Sequence, residues 1–153
     1  MENEKIYEKD YVTRINLKTD TDQREKLIDL CLHSKNQFLA IGWSCVNIES
    51  GQYTDFYNAV KVYVHSQHKK INPALNVFSS AEVNDLFWTR DMKGVYWICR
   101  VKDTAKVYLN KTLDIGAILP VEAYEFGLEV PGQIKASFNR ARGGIVQRLQ
   151  YPA

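Results

Sequence analysis

The spacing of apolar residues changes character part-way along this 153-residue chain. Up to Ala81 it is largely helical, and beyond Ala81 it alternates. A chain that keeps most helices in one half and most strands in the other buries both by packing helices on one flank of a sheet. The expected class is α+β, a curved sheet or small pseudo-barrel of about six strands with about two to three helices beside it.

The elements follow from local pattern. YVTRINL (11–17) alternates and predicts a strand. Asp20 with Gln23 has the spacing of a capping box, and Leu27, Leu30, Cys31 and Ser34 share one face of a helix predicted over 21–35. QFLAIGW (37–43) is a short buried strand stopped by Gly42, and 44–52 is a loop. Tyr53, Phe56, Tyr57, Val60, Tyr63, Val64 and Gln67 predict a helix over 53–68 with an aromatic stripe. Asn72-Pro73 starts a short helix through Ala74, Leu75, Val77 and Phe78. Strands are then predicted at 86–89, 95–101 and 105–110, with turns at Lys93-Gly94 and Lys102-Asp103, as a meander. Further strands fall at 118–124, 133–138 and 144–149.

No linker or repeat divides the chain, so 1–153 reads as one domain. Hydrophobic residues at 45% and charged residues at 25% exclude disorder, collagen and coiled coil. No apolar run approaches the ~18 residues of a membrane span. MENEKIYEKD has no apolar signal region, and Cys31, Cys45 and Cys99 are too few for a disulfide framework. The expectation is a cytoplasmic protein with reduced thiols and no membrane partner.

Net charge is only +2, unevenly spread. Lys135, Arg140, Arg142 and Arg148 face no acid between 130 and 153, and Lys93, Arg100, Lys102, Lys106 and Lys111 face only Asp103 between 92 and 111. The second half therefore presents a basic face if those segments meet, and a merely solvated surface if they do not.

The common catalytic signatures are missing. There is no glycine-rich phosphate loop, no Cys-x-x-Cys pair, and GWSC is not an esterase elbow. His65 and His68 have metal-ligand spacing but no third ligand nearby, and read as solvated residues at a helix end. The cysteines read as small core residues. No metal or cofactor is expected. The aromatic residues say more. Trp43 ends an apolar strand, and Trp88 and Trp97 sit on successive strands beside Arg90, Arg100, Lys102 and Lys106. Indoles there serve a core, or, interleaved with cations, hold a base and its phosphates.

FLAIGW, then a Tyr/Phe-rich helix, then NVFSSAEVNDLFWTRDMKGVYWICRV resembles the EVE-like branch of the PUA-like superfamily over about residues 37–110. VPGQIKASFNRARGGIVQRL would supply the closing strands. Asn84-Asp85 departs from the family's Gly-Asp, and a second expected departure is the absence of a nuclease or ATPase domain from these 153 residues. The resemblance implies a pseudo-barrel that takes one base, often modified, into an aromatic pocket. It implies pocket roles for Gly42, Trp43 and Trp88, with Ser44, Asn47 and Asn76 at the base edge and Trp97 in pocket or core. Arg90, Arg100, Lys102, Arg140 and Arg142 would meet phosphate. The implied partner is nucleic acid, DNA ahead of RNA, in a defence or restriction setting, with an effector protein supplying nuclease or ATPase activity. Two other functions stand beside this reader without catalysis. One is an ASCH-type enzyme on RNA or modified nucleosides, with Lys102 or Lys106 and Asp103, or Tyr108, as acid and base. The other is a module whose aromatic cleft receives a peptide.

Overall fold

The computed structural model describes residues 11–48, 50–70, 73–130, 132, 135 and 146–150, with 11, 12 and 146–150 described as backbone. In chain order the elements are β1 (Tyr11–Ile15), α1 (Arg24–His33), β2 (Phe38–Ile41), α2 (Tyr53–Ser66), α3 (Pro73–Ser80), β3 (Leu86–Arg90), β4 (Tyr96–Val101), β5 (Lys106–Asn110), β6 (Ile115–Gly127) and β7 (Val146–Gln150). The α+β class holds: a curled mixed sheet forms a half-barrel with three helices at its flank. Of the expected strand 133–138 only Lys135 is among the described residues, and there the backbone is helical, not extended.

The sheet runs β2-β6-β4-β3-β1-β7, and β5 adds to β6. β1 and β3 are parallel, with Arg14 opposite Trp88, and the other pairs are antiparallel. β6 is 13 residues long and organises the rest. Its first half pairs β2 on one edge and β5 on the other, while its second half pairs β4. β4 and β5 therefore lie end to end along one edge of β6, and six strands stand side by side. This corrects the meander read at Lys102-Asp103. Lys102 N–H continues the ladder to the Pro120 carbonyl at 2.9 Å, and the chain bulges at 103–105 before rejoining β6. Turn chemistry is local and does not say which long strand lies alongside. Pro120, which has no N–H to give, sits at the gap between β4 and β5, where no ladder partner needs one. On the opposite edge, the Gln37 side chain closes β6 beyond β2. Its Oε1 accepts from Ala123 N–H at 2.8 Å, and its Nε2 donates to the Ala123 carbonyl at 3.3 Å.

α1 starts at Arg24, with Gln23 as its N-cap and no side-chain cap, so the Asp20–Gln23 box does not form. Asp20 and its neighbours are drawn instead to the loop before β6, as described below. α1 buries Leu27, Ile28, Cys31 and Leu32, and α2 buries Phe56, Val60 and Val64, into the hollow of the curl. There they meet Ile15, Leu39, Leu75, Phe78, Ile115 and Leu119. Gly116 is the tightest point: a Cβ there would lie 2.2 Å from the Gly42 carbonyl oxygen and 2.6 Å from the Phe56 ring. Only glycine lets β6 pass so close to β2 and α2.

Strand parity divides the aromatic residues. Phe87, Thr89, Trp97 and Cys99 point into the main core, and the Thr89 hydroxyl donates to the Ile15 carbonyl at 2.7 Å. Trp88 and Tyr96 point to the other face, where Ile98 and Val130 pack on them.

Candidate functional site

Three loops meet at one end of the half-barrel: the chain after β1, the chain after β2, and the β5–β6 hairpin. Thr19 Oγ donates to the Leu113 carbonyl at 2.5 Å, and Thr21 Oγ donates to the Thr112 carbonyl at 3.0 Å. Asp114 ties the third loop in. Its Oδ1 accepts from Ser44 N–H at 3.1 Å and from Ser44 Oγ at 2.7 Å, and its Oδ2 accepts from Asp20 N–H at 3.0 Å. Gly42 permits this closeness, since a Cβ there would lie 2.9 Å from Asp114 Oδ2.

Trp43, between Gly42 and Ser44, has φ +63°, and Asp114 has φ +50°. A left-handed non-glycine residue costs about 1–3 kcal/mol. Hydrogen bonds to a carboxylate contribute about 1.5–3 kcal/mol each, so Asp114 outweighs the strain at Trp43. The result is a half-buried indole at the wall of an open cleft. The cleft measures about 570 Å³, and the polar groups along it are Lys18, Thr19, Asp20, Cys45, Tyr63, Lys69 and Asp114. That volume lies within the roughly 300–1,000 Å³ of small-molecule sites. Cys45 stands beside the Tyr63 phenol and pushes it up, first by charge and then as hydrogen-bond partner, with the Asp114 and Asp20 carboxylates adding to the effect.

Of the residues singled out from sequence, Gly42, Trp43 and Ser44 come together here, Ser44 as a buried latch behind the wall. The others among the described residues do not line this cleft. Asn47 is exposed, further along the chain after β2. Asn76 lies on α3 and accepts from the Tyr57 hydroxyl at 2.9 Å. Trp88 is 9% exposed on the opposite face of the sheet, edge-on to Phe126 at 4.9 Å. Trp97 is a core residue whose Nε1 donates to Asp91 at 3.0 Å and whose ring meets His33 at 5.2 Å. Arg90 lies 5.7 Å from the Tyr96 ring centre, and Arg100 pairs with Glu122 at 2.5 Å. Lys102 is exposed near Glu122. Arg140 and Arg142 lie outside the described residues. The two-indole pocket expected from Trp43 and Trp88 is not assembled, because adjacent positions on β3 point to opposite faces and Phe87 takes the core side.

Lys18, Thr19, Asp20, Tyr63, Lys69 and Asp114 were not anticipated. They come from three separate stretches of the sequence, and Ser44 and Asp114 are 70 residues apart. The one local sign was Asp114 before Ile115-Gly116, a residue type that tolerates a left-handed turn. The acid–base set at 103–108 is an exposed Asp103–Lys106 ion pair of 2.8 Å with exposed Tyr108 near it in sequence. Lys106 and the Thr104 N–H hold Asp103 below the usual carboxylate range. Cys31 and Cys99 are buried, and burial pushes Cys99 up to about 12, whereas Cys45 is exposed and departs from the core role expected of it. Among the described residues, no group of His, Cys, Asp and Glu has metal-binding geometry, and no helix is long and apolar enough to cross a membrane.

The half-barrel with its flanking helices is compatible with a PUA-like fold. No protein-family model, curated protein or solved structure matches the chain.

Proposed function

We propose that this chain is a nucleic-acid reader of the PUA-like, EVE-related kind that works by binding, taking a single unstacked base into the cleft beside Trp43. The observation that carries the reading is the Trp43 indole itself, held in a left-handed backbone at the wall of an open cleft. Strain of this sort at a cleft is a mark of function. A stacked base returns about 1–3 kcal/mol, comparable with the few kcal/mol needed to extrude it. Lys18 and Lys69, both exposed beside the cleft, take the phosphate role that the resemblance implied for Arg90, Arg100, Lys102, Arg140 and Arg142. A base methyl group adds about 0.8 kcal/mol of apolar burial, roughly fourfold in affinity for the modified form. In this reading DNA stands ahead of RNA, and an effector protein supplies any nuclease or ATPase activity in a defence or restriction setting.

The test is oligonucleotide binding at low salt. Trp43→Ala is expected to weaken binding by about tenfold to a hundredfold, the value of one stacked base. Two lysine–phosphate contacts give a log–log salt slope near −1.4 on single strands, roughly halved in Lys18→Ala. Equal binding by wild type and Trp43→Ala sinks the proposal.

A further inference from the structure

Two carboxylates line the cleft, and they are not equivalent. Asp114 is committed to the fold, accepting from Ser44 N–H, Ser44 Oγ and Asp20 N–H. Asp20 lines the same cleft with an exposed side chain. Among the described residues, the Asp20 carboxylate has no hydrogen-bond or ion-pair partner. We infer that Asp20 selects the base: the cleft takes a nucleobase bearing an exocyclic amino group, whose N–H donates to the Asp20 carboxylate, and disfavours one that presents a carbonyl there. The inference rests on the reading of the Trp43 cleft as a base site and adds the class of base.

An ionised carboxylate only accepts hydrogen bonds, so an amino group satisfies it and a carbonyl oxygen repels it. The same logic lets Asp and Glu accept from the cytosine amine in groove recognition. Asp20 is also held in place. Its own N–H is fixed to Asp114, and the flanking Thr19 and Thr21 are fixed to the Leu113 and Thr112 carbonyls. With the backbone fixed, only the side-chain torsions of Asp20 are ordered on binding, which favours affinity. Opposite polarity is available nearby. Tyr63 lines the same cleft, and its phenol hydroxyl can donate to a ring nitrogen or carbonyl. Lys18 and Lys69 leave a place for the attached phosphate. A neutral base with a donor edge and an anionic tail matches this lining better than a purely anionic or purely apolar ligand.

Oligo-dC and oligo-dU make the cleanest pair of probes, because their bases differ chiefly in amine against carbonyl at one ring position. Binding is followed by fluorescence anisotropy at low salt for wild type, Asp20→Asn and Trp43→Ala, with circular dichroism confirming each fold. Asp20→Asn keeps the backbone N–H that Asp114 holds. Wild type is expected to bind oligo-dC about tenfold tighter than oligo-dU, the value of one good base-edge contact. Asp20→Asn is expected to erase or invert that preference, since an amide can donate to the carbonyl, while Trp43→Ala weakens both probes. Equal affinity of wild type for the two probes overturns the inference, as does a preference that survives in Asp20→Asn. If Trp43→Ala still weakens both, the base-binding reading stands without it. No binding of either probe, or binding indifferent to Trp43, overturns both.

Discussion

Trp43 and Trp88 are the same side chain in two settings. Trp88 sits inside β3, pinned between Arg14 of β1 and Ile98 of β4. Its neighbours Phe87 and Thr89 belong to the core, so parity sends it to the other face, where Phe126, Tyr96 and Val130 bury it. Trp43 lies beyond the end of β2, where no ladder dictates direction. Its orientation comes from side-chain chemistry, the Asp114 carboxylate gripping Ser44. A strand residue spends its aromatic surface on stability, whereas a loop residue held by a latch keeps part of it available to a ligand.

The largest expected effect is on Trp88. Trp88→Ala should destabilise the fold by about 3–5 kcal/mol in urea titration while leaving the oligonucleotide affinity of the folded protein unchanged. Trp43→Ala should do the reverse. A greater stability loss at Trp43 than at Trp88 would break the contrast. Next is Gly116→Ala, whose new methyl meets the Gly42 carbonyl and Phe56; overpacking of this kind costs about 1–3 kcal/mol, occasionally more. A neutral Gly116→Ala would show that β6 is not pressed against β2 and α2. Asp114→Ala leaves the donors on Ser44 and Asp20 without their acceptor, at about 1–3 kcal/mol. It should also lower oligonucleotide affinity, because Trp43 loses the hold on its left-handed backbone. Stability lost with affinity intact would mean that Asp114 is only a structural tie.

The same contrast explains what could be read from sequence. Helical and strand periods are local, so α1, α2, α3 and most strands were legible from the spacing of Leu27, Phe56, Leu75 or Phe87. What failed was partnership. Lys102-Asp103 carries a turn signal, but only the 13-residue reach of β6 decides that β5 continues along the same edge as β4. The Asp20–Gln23 box failed because Asp114, 94 residues away, claims the Asp20 backbone. The candidate site was legible at Gly42-Trp43-Ser44 and nowhere else. Its charged residues arrive from separate loops, whereas the arginines chosen from sequence, Arg90 and Arg100, follow β3 and β4 to the outer face with Trp88.

The smallest expected effect sharpens the electrostatic side of the comparison. On the outer face, the Tyr124 hydroxyl and Arg100 hold Glu122 below the usual carboxylate range, and the bond to Glu122 in turn raises Tyr124. A carboxylate lowered in the folded state stabilises it above the unfolded value near 4.5, and that contribution fades as pH falls through the folded value. A raised phenol works the other way: its contribution is present below 10 and is lost as pH rises through the folded value. Glu122→Gln should therefore lower stability slightly near neutrality, where both contributions are present, and the difference from wild type should close on the acid side and at high pH. The groups are exposed, so added salt should shrink the difference further. Urea midpoints against pH, at low and high salt, measure this. Oligonucleotide affinity should stay as in wild type, because Glu122 stands on the far face from Trp43. If Glu122→Gln shifts that affinity as Lys18→Ala does, the outer face shares in binding and the division between the two tryptophans no longer describes the molecule.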